Sequence, residues 1–199
     1  MDELTAKFII AEIILAIEYL HGKHIIYRDL KPENIILDDE GYIKLIDFGL
    51  SKEGKDEDFI AKSFCGSPAY LSPELVTGIF IHFIRYKGSG TTKATDIYSV
   101  GTILYEMLTG YPPFFTTNLK ELLKKIRYRT LTHIYFIEKL SIPSTLSKEA
   151  ENLVSKMLDK NPEARIGAKN ISVLKRHIFF AEINWDKLLQ KKYIPPKLK

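Results

Sequence analysis

The chain contains a single cysteine, Cys65. No internal disulfide can therefore staple the fold, and the chain suits a reducing compartment. Charge of one sign is also scarce. The 29 Lys and Arg residues are scattered among 25 Asp and Glu, leaving a formal +4, which argues against nucleic-acid or membrane binding through bulk charge. Long apolar runs are missing as well. The N-terminal "MDELTAKFIIAEIILAIEYLHG" is interrupted by acids at 2, 3, 12 and 18; it has no basic n-region and no small-residue cleavage site, so it reads as neither a bilayer span nor a signal peptide. The expectation is a monomeric, cytoplasmic chain. There is no internal repeat, heptad array or low-complexity tract. "GSGTTK" at 88–93 lacks the spacing of a phosphate loop. His21 and His24 have no acidic or cysteine partner at metal-site spacing and are assigned to a helix end.

The 199 residues, 45% of them hydrophobic, suit one domain with a real core. Phe8, Ile9, Ile13, Ala16, Ile17 and Leu20 recur at helical spacing, which predicts a helix over 3–21 closed by Gly22. Two short strands follow, "NIILD" and "YIKLID", joined by the turn "DEG". Residues 50–74, rich in Gly, Ser, Pro and charge, read as one long ordered loop. "ATDIYSVGTILYEMLTG" is apolar nearly all round and predicts a buried helix, broken by "YPPFF". Amphipathic helices fit 118–127, 147–158 and 171–176, with Ser147 as an N-cap and Glu149 in the first turn. The fold class is mainly α (α+β), with small β-hairpins.

The chemistry concentrates in "YRDLKPEN", residues 27–34, followed by "DFG" at 47–49. Asp29 and Asp47 each adjoin an apolar strand that could hold them in one cleft. Phosphoryl transfer needs oxygen ligands for magnesium, a carboxylate to orient the attacking hydroxyl, and a cation for the phosphate charge. Asp47 and Asn34 can be the ligands, Asp29 the carboxylate and Lys31 the cation. Any one of these residues alone would read as ordinary surface charge; the combination is far more specific.

That combination, with "SPE" at 72–74, resembles the H-R-D-L-x-x-x-N, D-F-G and A-P-E set of eukaryotic protein kinases. "TDIYSVGTILYEMLTGYPPFF" is similar to the buried helix of the kinase C-lobe, and "LDKNPEARIG" to the segment carrying its late arginine. Tyr27 in place of His, "SFCGSPAYLSPE" and "RHIFFAEINWDKLLQKKYIPPK" resemble the AGC group of Ser/Thr kinases. The resemblance covers nearly the whole chain. It implies a kinase domain over 1–178, consisting of the C-lobe only, and the start of the group's C-terminal extension over 179–199.

It also implies roles. Asp29 and Lys31 would be catalytic, with Lys31 on the γ-phosphate of ATP, and Asn34 and Asp47 would bind Mg²⁺. Ile36 would floor the adenine, and Glu33 would border the nucleotide. Asp96 would brace the loop backbone, and Glu74 would pair with Arg165 in the interior. Ser63 would be an activating phosphosite, served by an upstream kinase, with Arg28 and Lys52 gripping its phosphate. Glu33, Glu106 and the terminal Glu3 would select upstream arginines in protein substrates, while Phe64, Pro68 and Leu71 would line a pocket for the residue after the target. The "LKPEN" sequence leans towards Ser/Thr rather than Tyr.

Two departures from the pattern stand out. A G-x-G-x-x-G strand pair, a V-A-I-K-like lysine and an acidic helix before it are absent, so the expectation is a chain without its N-lobe that transfers phosphate negligibly alone. "IFIHFIRYKGSG" and "RYRTLTHIYFIE" exceed the family's usual spacing by roughly eight to ten and about ten residues; they read as translated introns or as lineage-specific insertions near 79–88 and 127–137. A non-catalytic, kinase-derived binding fragment is the alternative function. Cys65 reads as a packed thiol, and Trp185 as an anchor of the C-terminal segment.

Overall fold

A computed structural model describes residues 1–54, 67–81, 91–128, 143 and 146–196. The first helix, α1, runs Glu3–Gly22. Asp2 caps it, accepting from the Thr5 amide at 2.9 Å and the Thr5 hydroxyl at 2.8 Å, which satisfies a donor the first turn leaves open. Its apolar residues Ala6, Ile10, Ala11, Ile13, Ile14 and Ile17 are fully buried. Gly22 is its last residue, and the C-cap falls one position later. The Lys23 amide closes the last turn on the Tyr19 and Leu20 carbonyls, and the chain reverses at His24, whose φ is +58°.

The second long helix, α3 (Lys93–Thr109), starts in a capping box between Thr92 and Thr95 and stops at Gly110 in the left-handed conformation. It packs against α1 and against α5 (Lys148–Met157). The α3–α5 approach needs a glycine, because a Cβ on Gly101 would lie 2.7 Å from the Met157 Cβ. Ser147 caps α5, accepting from the Ala150 amide at 3.1 Å. Two short helices, α6 (Ile171–Lys175) and α7 (Trp185–Leu189), finish this core together with the 3-10 turn Ile178–Phe180. The Trp185 ring meets Phe180 edge-on at 5.4 Å, and its indole donates to the Lys175 carbonyl at 3.2 Å.

A smaller apolar cluster joins Leu71, Leu75 and Val76 to Leu122 and Ile126. It packs α2 (Pro73–Ile81) on α4 (Leu119–Tyr128). The long-loop expectation for 50–74 is therefore corrected at both ends. Lys52–Glu53 forms β4, antiparallel to β1 (Ile25–Ile26), and Pro73 opens α2, where proline's fixed φ suits a first helical turn. The predicted hairpin is present as β2 (Ile35–Leu37) and β3 (Ile43–Leu45), with Ile35 opposite Leu45.

The C-terminal segment straps this hairpin onto α1. Asp38, in the turn, accepts from the Tyr42 amide at 2.9 Å and from Lys191 Nζ at 2.8 Å, and the Tyr42 hydroxyl donates to the Tyr193 carbonyl at 2.5 Å. These contacts hold the Asp38 carboxyl down to about 2, the Lys191 hydrogen bond first. Beneath them lies Glu12, buried on α1, with one oxygen lacking a partner among the described residues. Burial pushes its pKa up to about 7. Among the described residues, no helix is long and apolar enough to cross a membrane.

Candidate functional site

The charged loop sits between β1 and β2, and its backbone is held from behind by α3. Asp96, 1% exposed, accepts from the Tyr27 and Arg28 amides, each at 2.9 Å. His21 Nε2 lies 2.8 Å from the same carboxylate. His21 is thus not an idle helix-end residue: α1 places it one turn from the loop, where it shares Asp96. Holding two consecutive amides lets Arg28 adopt φ +74°, a conformation costly for a side-chain-bearing residue.

The polar side chains then converge on Asp29, which is buried. Its Oδ2 takes Lys31 Nζ at 2.8 Å and Asn34 Nδ2 at 3.2 Å. The Ser67 hydroxyl reaches Oδ1 at 3.3 Å. Asn34 Nδ2 also donates to the Asp29 carbonyl at 2.8 Å, so the amide's orientation is fixed and its Oδ1 is left for another partner. The carboxylate holds the Lys31 ammonium above its ordinary range, first through the hydrogen bond.

Asp47 joins this crevice through its neighbours. The Ile46 amide donates to the Asn34 carbonyl at 3.0 Å, the Tyr27 hydroxyl donates to the Ile46 carbonyl, and Phe48 packs edge-on against Tyr27 at 5.2 Å. Asp47 itself has φ +60° and an exposed carboxylate, whose Oδ1 accepts from the Gly49 amide at 3.1 Å. Burial and the nearby charges of Asp29 and Asp47 push the Tyr27 phenol up to about 12, and the field of Asp47 also reaches Lys31. Lys31 and Asn34 are thus gathered on Asp29 by hydrogen bonds, and Asp47 lies near enough for its charge to act on Tyr27 and Lys31. Ile36 is 43% exposed, on the strand that leaves the loop.

A second polar constellation supports the cleft from below. Arg165, 2% exposed, grips Glu74 with both arms at 2.8 and 2.9 Å. It also donates to the Ala94 and Asp159 carbonyls and lies over the Tyr98 ring at 5.0 Å. Glu106 accepts from the Tyr70 hydroxyl at 2.7 Å, and burial, then Glu106, drive that phenol far above its usual range. Glu33 is exposed on the 3-10 turn Pro32–Asn34, near enough to influence both Lys31 and Tyr70.

Several expected roles meet a different geometry. Leu71 is 3% exposed inside the smaller apolar cluster, so it is core rather than the lining of an open pocket; Pro68 beside it is exposed. Glu3 has both oxygens taken by Ser147, from the amide and the hydroxyl, each at 2.7 Å. That ties it to the start of α5 instead of leaving it open to a cationic partner. Arg28 is buried and donates from Nε to the Leu50 carbonyl at 2.6 Å, while Lys52 is exposed on β4. Ser63, Phe64 and Cys65 lie outside the described residues, as do most of the two extra segments. Sequence reasoning missed Ser67 and Tyr27. Only the period-free "GSP" and the single Tyr-for-His exchange marked them.

Compared with known protein families, residues 1–180 match the protein kinase domain. The expectation of a C-lobe alone is thereby corrected. The chain combines a helix-and-hairpin region over 3–53, N-lobe-like in its mixture of strand and helix, with a helical C-lobe over 93–189, most of it within the matched span. Among curated proteins, the chain is 45% identical over 197 residues to the serine/threonine protein kinase ypkA of Aspergillus fumigatus, covering 98% of this chain and 28% of that one. It is 42% identical over 195 residues to the serine/threonine-protein kinase gad8 of Schizosaccharomyces pombe, covering 98% and 31%. It is 41% identical over 194 residues to the human ribosomal protein S6 kinase alpha-6, covering 98% and 24%. The chain spans about a quarter to a third of the length of these relatives. With the cleft built as described and the match running over most of its length, the chain belongs to the protein kinase domain family.

Proposed function

We propose that this chain carries the phosphoryl-transfer cleft of a serine/threonine protein kinase. The observation that carries the reading is the convergence of Lys31, Asn34 and Ser67 on the buried Asp29, with Asp47 held alongside. Asp29 orients the hydroxyl of the protein substrate and accepts its proton. Lys31 offers its charge to the transferred group, and Ile36 provides an apolar floor for the adenine.

The donor set fits a hard cation. Asn34 Oδ1 and the Asp47 carboxylate are oxygen ligands, and one or two such groups plus nucleotide phosphates are how Mg²⁺ is usually held. A dedicated cage is not required, and among the described residues no three His, Cys, Asp or Glu groups form one. When bound, Mg²⁺-ATP supplies the phosphoryl group and screens the charge that develops on it. The protein's part is position: Asp96 fixes the loop amides, Asn34 fixes Asp29, and the left-handed turn at Asp47 aims its carboxylate.

Glu33 and Glu106 favour substrates with arginine upstream of the target. Ser63 is the activating phosphosite, with Arg28 and Lys52 its partners, and residues 179–199 begin a C-terminal extension over the kinase domain. The test is Mg-ATP-dependent phosphorylation of an Arg-containing peptide by the longest product of this chain's gene. Activity lost in Asp47→Ala and weakened in Ser63→Ala supports the reading. Activity unchanged in Asp47→Ala overturns it.

A further inference from the structure

On the far side of His21 from the charged loop lies a cavity of about 390 Å³. Its wall is made by the last turn of α1, the first residue of α3 and the segment leading into α6. Its polar groups are Glu18, His21, His24, Lys93, Lys169 and Asn170.

The charges are not balanced. Glu18 is already answered by Lys175 at 2.7 Å, and Asn170 Oδ1 accepts from the Ser172 amide at 2.9 Å. Lys93 has no partner among the described residues, although it is half-buried. Lys169 has only Glu163, at 2.9 Å with both side chains 73% exposed; such a pair is worth less than about 1 kcal/mol and yields readily to a competing anion. His24 keeps a buried Nδ1 without a partner among the described residues. His21 uses Nε2 on Asp96, and its Nδ1 has no partner among the described residues. Two ammonium groups and two imidazoles thus line a space large enough for a small ligand, and Glu18, the one acidic residue in its wall, is already paired with Lys175.

We propose that this cavity binds a phosphate-type anion, either the free ion or a phosphate monoester. The bound anion places its oxygens against Lys93 and Lys169 through charge-assisted hydrogen bonds. Its presence is transmitted to the charged loop along a short path. His21 lines the cavity and meets the Asp96 carboxylate, and that carboxylate holds the Tyr27 and Arg28 amides. An anion held against the last turn of α1 restrains the His21 ring that meets Asp96, and so steadies the loop. The inference concerns binding and backbone order, so it stands apart from which reaction the cleft serves.

The test is calorimetric titration of the chain with inorganic phosphate and, separately, with free phosphoserine, against chloride at matched ionic strength. Saturable binding of phosphate, weakened at least tenfold in a Lys93→Gln, Lys169→Gln double variant and unchanged in Lys44→Gln, is expected. Tighter phosphoserine binding identifies a monoester as the ligand, and equal affinity identifies the free ion. Amide exchange at Tyr27 and Arg28 should slow at least twofold at saturating phosphate. Binding that does not saturate, or that is equal in the double variant and matched by thermal melts showing an intact fold, overturns the site. Saturable binding with no change in those two amides overturns the path to the loop.

Discussion

Two aspartates clamp backbone amides in this molecule, one in the core and one at the surface. Asp96 holds the Tyr27 and Arg28 amides and His21 from within α3, almost sealed from water. Asp38 holds the Glu40 and Tyr42 amides in the hairpin turn and pairs with Lys191 of the C-terminal strap. The chemistry is the same, but the surroundings are not. In the interior, an amide that loses its acceptor cannot turn to water; at the surface, water takes over at once. The first clamp fixes a loop with Arg28 in a strained conformation, while the second seats the C-terminal strap on the hairpin.

The largest effect is expected from Asp96→Ala, which strands two buried amides. Unfolding in urea should show a loss of about 3–5 kcal/mol, and Tyr27 and Arg28 should lose exchange protection ahead of the helices. Glu74→Ala should come next, at about 3 kcal/mol, because it leaves the Arg165 guanidinium buried without its carboxylate. Replacing both Glu74 and Arg165 with apolar residues should recover most of that loss.

Glu12 sharpens the comparison, since it lies under the surface clamp yet is itself buried. Its folded pKa of about 7 stands well above the ordinary carboxylate value of 4.5. The folded state therefore binds the proton more tightly, and stability falls as pH rises from about 4.5 to 7 before levelling off. Glu12→Gln should match the parent at pH 4 and exceed it by up to about 3 kcal/mol at pH 8, as read from paired denaturant curves. Lys191→Ala should do least: a small loss, erased by salt. Asp38 follows the opposite rule to Glu12. Its depressed pKa lends stability above the ordinary carboxylate value, and that stability is lost as pH falls towards about 2.

The long elements were legible in the sequence because their signal accumulates over many residues; α1 declares itself by apolar spacing and α3 by being apolar nearly all round. The β1–β4 pair was not, since two residues per strand carry no period. Helix α2 was hidden behind a loop-like composition ending in Pro73, and only its packing of Leu75 and Val76 on Leu122 and Ile126 makes it a helix with a face to bury. At the site, the charged residues stood out by type and order. What positions them did not. The contact between His21 and Asp96 spans 75 residues of sequence, and the reach of Ser67 to Asp29 spans 38. Leu71 misled because a leucine beside a motif looks the same whether it faces a groove or the core.

The central claim is that Asn34 and Asp47 present oxygen ligands in the same cleft as Asp29, and paramagnetic relaxation tests it most directly. Manganese titrated into the chain with ATP should broaden the amide signals of Asp29, Asn34, Asp47 and Phe48 together, and Asp47→Ala should abolish the effect at all four. Broadening centred on the acidic turn at Asp38–Glu40, or broadening that persists unchanged in Asp47→Ala, would contradict the account.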